Sequence, residues 1–204
     1  MSNEYVLDTP AVREFIGQVR AAIDAAPPAE AMRAMEPAFA ALLADQAWLP
    51  EAFRTPDTAG GMGGGIATWL IYGAADASLS LFALVVPAGA ATPVHDHLAW
   101  GIVGLYAGEQ DEEVFRRAGP GDEHHAPLEL TERNHLLPGD FYVLLPPEGD
   151  IHRVLTTSAV PSVSIHLLGN DTGCTWRHAF TPEDSGVRSF RSGWSNRPCD
   201  DKIS

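Results

Sequence analysis

The sequence predicts a mainly β protein, an all-β barrel or sandwich preceded by N-terminal α-helices. Three observations predict it. Short runs rich in β-branched and aromatic residues recur between Gly/Pro turns from residue 66 onward, helical periodicity is confined to the first 47 residues, and 16 Pro with 19 Gly supply the turns. At 204 residues and 45% hydrophobic composition, the chain is long enough to bury a core and too short for a multidomain assembly.

The helical part comes first. Val12, Phe15, Ile16, Val19 and Ile23 recur at helical spacing, as do Met32, Met35, Phe39, Leu42 and Leu43, so two amphipathic helices are expected between Pro10 and Ala47. Thr9 before Pro10 reads as an N-cap followed by proline at the first helical position, and Pro27-Pro28 separates the pair. Pro37 is tolerable in an early turn or at a kink. The stretch Pro56 to Gly65, with five glycines from Gly60 on, reads as a flexible loop that divides a helical segment, 1–58, from a barrel, 59–204.

The expected strands are Ile66–Tyr72, Leu79–Val86, Trp100–Ala107, Glu112–Arg117, Leu128–Arg133, Phe141–Leu145, His152–Thr156, Ser162–Leu168 and Thr175–Phe180. The longest apolar run, Leu79 to Ala91, is interrupted by Ser80, Pro87 and Gly89. It falls short of the about 20 residues that cross a membrane, and reads as a buried strand. The tail from Pro198 to Ser204 is polar and expected to fray.

Charge narrows the partners. With 27 acidic against 13 basic residues the formal charge is −14, which repels a phosphate backbone, so neither nucleic acid nor an anionic membrane is an expected partner. Lys202 is the only lysine, which leaves arginine to grip any anion. The N-terminal residues lack the basic and apolar regions of a secretory signal, and the expected location is the cytoplasm. Cys174 and Cys199 are too few for a disulfide framework or a four-cysteine metal site, and both are expected to be free thiols.

The histidines carry the chemistry. His95 and His97 are two apart, and on a strand such residues point to one face, so both imidazoles can converge on one ion. Five residues separate Gly89 from His95, and Pro147-Glu148-Gly149-Asp150-Ile151 leads into His152. This pair of motifs resembles those of the cupin superfamily, whose fold is a double-stranded β-helix holding a metal in its lumen. The resemblance implies His95, His97 and His152 as metal ligands. Many cupins add a glutamate four or five positions after the His-x-His pair. Gly101 and Ile102 stand there, and Glu109 and Glu112 lie too far along, which leaves three neutral imidazoles. Imidazoles accept Fe, Ni, Cu, Zn or Mn.

The three-histidine variant, with Trp100-Gly101-Ile102-Val103-Gly104 directly after the pair, resembles the thiol dioxygenases, cysteine dioxygenase and 3-mercaptopropionate dioxygenase. The resemblance runs from about Trp48 to Phe190 and is strongest between Pro93 and Gly108. It implies Fe(2+) as cofactor, a small thiol and O2 as substrates, and a sulfinate product. It also implies a Ser-x-His-x-Tyr relay, of which Ser164 and His166 are present as candidate catalytic residues while Leu168 stands at the tyrosine. Tyr72 is a candidate replacement for that hydroxyl, and a buried histidine bonded to Ser164 is the plainer reading of His166. The Cys–Tyr crosslink of mammalian cysteine dioxygenase has no counterpart at Gly101 and Leu168.

Family enzymes hold the substrate carboxylate with an arginine or glutamine on an early strand, and Trp69-Leu70-Ile71-Tyr72 contains neither. Arg177 is the candidate anchor in its place, or else a solvated strand arginine. Trp100 could wall the site or simply fill the core. Arg153 alternates to the opposite face from His152 and is expected to pair with surface acids such as Asp150. His124, His125 and His135 are expected in solvent, and His178 is expected to pack with Trp176 and Phe180. Two other functions fit the same residues: a metal-holding cupin that binds a small molecule without turnover, and a cupin isomerase or lyase. A monomer or small homo-oligomer is expected.

Overall fold

A computed structural model describes residues 4–58 and 62–199. Gly60 and Gly61 of the glycine loop, and the tail from 200 on with Lys202, lie outside the described residues. In chain order the elements are β1 (Glu4–Tyr5), α1 (Pro10–Ala25), α2 (Pro28–Ala44), β2 (Ala67–Gly73), β3 (Ser80–Val86), β4 (Val94–His95), β5 (Gly101–Ala107), β6 (Gln110–Arg117), β7 (Leu128–Leu136), β8 (Phe141–Leu144), β9 (Ile151–Thr156), β10 (Ser162–Leu168), β11 (Arg177–Thr181) and β12 (Gly186–Phe190). Both expected helices form. Thr9 caps α1 by accepting the Val12 backbone N–H at 3.3 Å, and α2 runs on through Pro37, which sits in its interior rather than in an early turn. All the expected strands form within a few residues, and β1, β4 and β12 are additional.

The strands make two antiparallel six-stranded sheets, ordered β1-β2-β3-β10-β5-β8 and β12-β11-β4-β9-β6-β7. Consecutive strands such as β3 and β4, or β9 and β10, fall in different sheets, so the chain winds back and forth between them as a double-stranded β-helix with N-terminal helices packed on it.

The first sheet is buried on both faces. Leu81, Ala83 and Val85 of β3, with Val163, Ile165 and Leu167 of β10, meet Ile16, Met32, Phe39 and Leu43 from the helices in one apolar cluster. The alternate residues Phe82, Leu84 and Val86, with Leu168, face the lumen in a second cluster. Gly104 is required by the first contact: a Cβ there would lie 2.5 Å from Leu43 and 2.8 Å from Phe39.

After β12 the chain returns along the edge of β2. Ser195 N–H donates to the Thr68 carbonyl at 2.8 Å, Asn196 bonds both backbone groups of Leu70, and Trp194 enters the lumen cluster against Phe82. This return brings Cys199 beside Cys174, and the two form a disulfide with Cα atoms 5.3 Å apart. The expectation of two free thiols is thereby corrected. The pairing depends on a tertiary path that spacing along the chain does not reveal. No helix among the described residues is long and apolar enough to cross a membrane.

Candidate metal centre

His95, His97 and His152 meet in the lumen, all buried, each offering a ligand atom within 4.8 Å of the others. Their ring centroids are 4.9 to 5.1 Å apart. Antiparallel pairing of β4 with β9 sets His95 directly opposite His152. His97 arrives by a different route from the one expected. The strand ends at His95, and the loop beyond is pinned by Asp150, whose two carboxylate oxygens accept the backbone N–H groups of His97 at 2.9 Å and Leu98 at 3.2 Å. Leu98 takes φ +55°, a conformation uncommon for a branched side chain, and so turns the chain just after the ligand. Gly89 and Gly149, the glycines of the two motifs, also have positive φ, which explains glycine at those turns.

The donor set fits a transition ion. On each ring Nδ1 is already engaged: His95 with the Pro93 carbonyl at 2.9 Å, His97 with the Asp150 carbonyl at 3.3 Å, and His152 with Glu112 Oε1 at 2.7 Å. With Nδ1–H donating, Nε2 carries the free lone pair on all three rings, which is the arrangement a metal-binding imidazole needs. Burial, reinforced by the neighbouring histidines and Arg177, holds His95 well below the usual imidazole range. Burial lowers His97 as well, against the opposing pull of Asp150. The neutral imidazole, the form able to bind a metal, is therefore favoured for these two.

Several residues around the three histidines have contacts that the sequence reading did not give them. Glu112, expected to lie too far along, is buried behind His152. Burial raises its carboxyl, but hydrogen bonds from His152, Tyr142 and Asn134 outweigh this and keep it below the ordinary range. Gln110, Asp111 and Glu112 are all polar, so the sequence carried no signal that Gln110 and Glu112 are buried while Asp111 is exposed. Tyr142 places its hydroxyl 3.3 Å from His152 Nδ1, and burial together with the Glu112 charge holds its phenol well above the usual range. Asp96, between the ligand pair, points away and accepts both the backbone N–H and Nδ1–H of His178, at 2.8 and 2.6 Å. His178 is thus a partner of Asp96 rather than a packing residue, although Phe180 is nearby at 6.0 Å.

Ser164 and His166 do face the lumen, with Ser164 Oγ 2.9 Å from His166 Nε2. The His166 ring stacks on Phe82 at 4.7 Å and lies 6.4 Å from His97, and its Nδ1 is buried without a protein partner. Burial keeps it well below the usual imidazole range. Leu168 closes the same face and fills the space beside Gly101, where a Cβ would meet its side chain at 2.4 Å. A cavity of about 10 Å³, room for roughly one water, lies among Tyr142, His152, Ser164 and His166.

Arg177 is also inside. Its side chain lies over Phe190 at 4.7 Å, and Phe190 in turn is 5.9 Å from His95. Nη2 donates to Ser192 at 3.3 Å, while Nε and Nη1 are buried with no protein partner. Burial lowers its pKa to about 10, which still leaves a cation at neutral pH.

Two candidates lie elsewhere. In β2 the register slips between Leu70 and Tyr72, so Ile71 is an extra residue, and Tyr72 turns from the lumen face to the helices, where Arg20 donates to its hydroxyl. Tyr72 is therefore not in the lumen and does not stand in for the relay tyrosine missing at Leu168. Trp100 alternates with lumen-facing Gly101 and packs on the helix side, its indole over Gly169, where a Cβ would come within 2.3 Å. It walls no part of the metal centre. Arg153 is on the outer face as expected, but pairs with Glu113 at 2.6 Å, because Asp150 is committed to the ligand loop. His124, His125 and His135 are exposed.

No protein-family model matches the chain. Solved structures similar to this chain include the following. A protein with a double-stranded β-helix domain from Klebsiella pneumoniae is 12% identical, with 72% of this chain and 99% of that chain covered, at a TM-score of 0.43. A Cupin 2 conserved barrel domain protein from Salinispora arenicola is 14% identical, covering 62% and 90%, at 0.41. Oxalate decarboxylase from Lactobacillus farciminis, in a formate complex, is 17% identical over 46% of this chain, at 0.36, and this chain spans only 25% of its length.

Proposed function

We propose that the protein is an iron(II)-dependent dioxygenase that oxidises a small mercapto acid to its sulfinate. The observation that carries this reading is Arg177: a buried guanidinium with Nε and Nη1 unpartnered, near enough to three gathered imidazoles that its charge depresses His95 and His97. An unpaired buried cation is costly, and a carboxylate that accepts both N–H groups removes the cost. His95, His97 and His152 would hold the ion, which would supply the redox chemistry by which both atoms of dioxygen pass to sulfur, RSH + O2 giving RSO2H.

The other residues bind and orient. Arg177 fixes the carboxylate end of the substrate and so presents its thiol toward the imidazoles. Ser164 locks the His166 ring, whose free Nδ1 offers one hydrogen bond to substrate in the lumen. Phe82, Leu84, Leu168 and Trp194 line that space with apolar side chains. A second reading, saturable binding without turnover, is favoured by Leu168, which leaves the Ser164–His166 pair without a third hydroxyl at the end of the relay.

Oxygen-electrode assays of the iron-loaded protein with 3-mercaptopropionate, cysteine, mercaptosuccinate and cysteamine separate the two. The proposal expects one O2 consumed per sulfinate formed, with the carboxylates preferred over cysteamine. Saturable binding of a mercapto acid with no oxygen uptake across the panel would leave the second reading.

A further inference from the structure

The three ligands are not supported alike. His95 and His97 donate Nδ1–H to neutral backbone carbonyls, at 2.9 and 3.3 Å. Asp150 does approach His97 Nδ1, but only at 3.4 Å, against 2.7 Å for Glu112 and His152. His152 alone donates to a carboxylate at short range, Glu112 at 2.7 Å, with both side chains buried.

The carboxylate is fixed from three strands. β6 pairs Glu112 with Val154 of β9, which makes His152 its diagonal neighbour on the same face. Asn134, directly opposite on β7, donates Nδ2–H to Glu112 Oε2 at 3.1 Å. Tyr142, from β8 in the facing sheet, sets its hydroxyl 3.3 Å from His152 Nδ1, on the same side as this carboxylate. So ordered a buried charge has one use that its neighbours do not explain: it faces the back of a metal-ligand ring.

We propose that Glu112 is a positioning residue that makes His152 the strongest of the three ligands, supplying from behind the ring the negative charge that no carboxylate supplies at the ion. This rests on the reading of the three histidines as a metal site. A carboxylate bonded to Nδ1–H raises the donor strength of Nε2 and fixes the ring, and such partners typically govern metal affinity by 10–100-fold.

The test is cobalt(II) and zinc(II) titration of metal-free wild type and Glu112→Gln, with circular dichroism to establish folding. Gln keeps the shape and can still accept Nδ1–H through its carbonyl oxygen, but carries no charge. The expected result is an affinity for both ions lower by about 10–100-fold, with a shifted cobalt absorption spectrum. Affinity within twofold of wild type and an unshifted spectrum would overturn the inference, because Glu112 would then only orient the ring.

A second measurement needs no variant. In zinc-loaded wild type, the His152 Nδ1–H proton should resonate farther downfield than those of His95 and His97, reflecting the charge-assisted bond. A His152 proton no farther downfield than that of His95 would contradict the inference even if the variant fails to fold. Wild type that takes up neither ion would remove the metal reading and this inference together, whereas uptake undiminished in Glu112→Gln removes the inference alone.

Discussion

The two faces of the first sheet are built from the same strands and have opposite chemistry. Toward the helices, β3 and β10 present Leu81, Ala83, Val85, Val163, Ile165 and Leu167, and the Tyr72 hydroxyl beside them is paired with Arg20. Toward the lumen the same strands present Phe82, Leu84, Ser164 and His166, and there a buried nitrogen is left without a partner. Across the lumen, Arg177 leaves two more. Apolar closure on one side holds the fold, and unsatisfied polar groups on the other mark where a ligand is expected. A residue's face, rather than its type, decides which role it has.

That contrast can be broken by substitution, and the largest expected effect on folding lies on the helix side. Phe39→Ala empties the space between α2, Gly104 and Phe141, and should lower stability by about 3–5 kcal/mol in urea or thermal unfolding, with metal uptake per folded chain unchanged. Loss of metal uptake in the folded variant would show that the two faces are not independent.

Arg177→Met is the lumen counterpart. Removing a charge-assisted contact of roughly 1.5–3 kcal/mol should raise KM for a mercapto acid about 10–150-fold, while bound metal stays at the wild-type level. An unchanged KM for mercapto acids, with cysteamine and 3-mercaptopropionate still told apart, would remove Arg177 as the anchor.

The smallest effect belongs to Tyr72→Phe. It should cost about 0.5–1.5 kcal/mol of stability through the lost bond to Arg20 and leave KM and kcat as they were. Altered turnover would place Tyr72 back in the chemistry.

Much of this was legible in the residues. The helices follow from period and caps, the strands from β-branched runs between turns, and the three ligands from two spaced motifs whose glycines take positive φ. The misassigned residues share a physical cause. Alternation says which side chains share a face but not which face is the lumen when both are buried, and for Tyr72 even the alternation fails at the bulged residue Ile71. Trp100 and Gly101 show the first problem, since only the tertiary contacts reveal which of the two turns inward.

Glu112, Asp150 and the Cys174–Cys199 pair have a different cause. Each acts through a partner distant in sequence: Glu112 and His152 meet across β6 and β9, Asp150 reaches back to His97, and the disulfide closes on a returning C-terminal segment. Arg177 lay between, since its strand was evident but its burial was not.

The central claim is that His95, His97 and His152 hold a single transition ion in the lumen. Cobalt(II) titration of the metal-free protein, alongside folded His97→Ala, tests it most directly. One ion per wild-type chain, with uptake abolished or weakened by orders of magnitude in the variant, is the predicted result. No saturable uptake by wild type, or equal uptake by the variant, would contradict it.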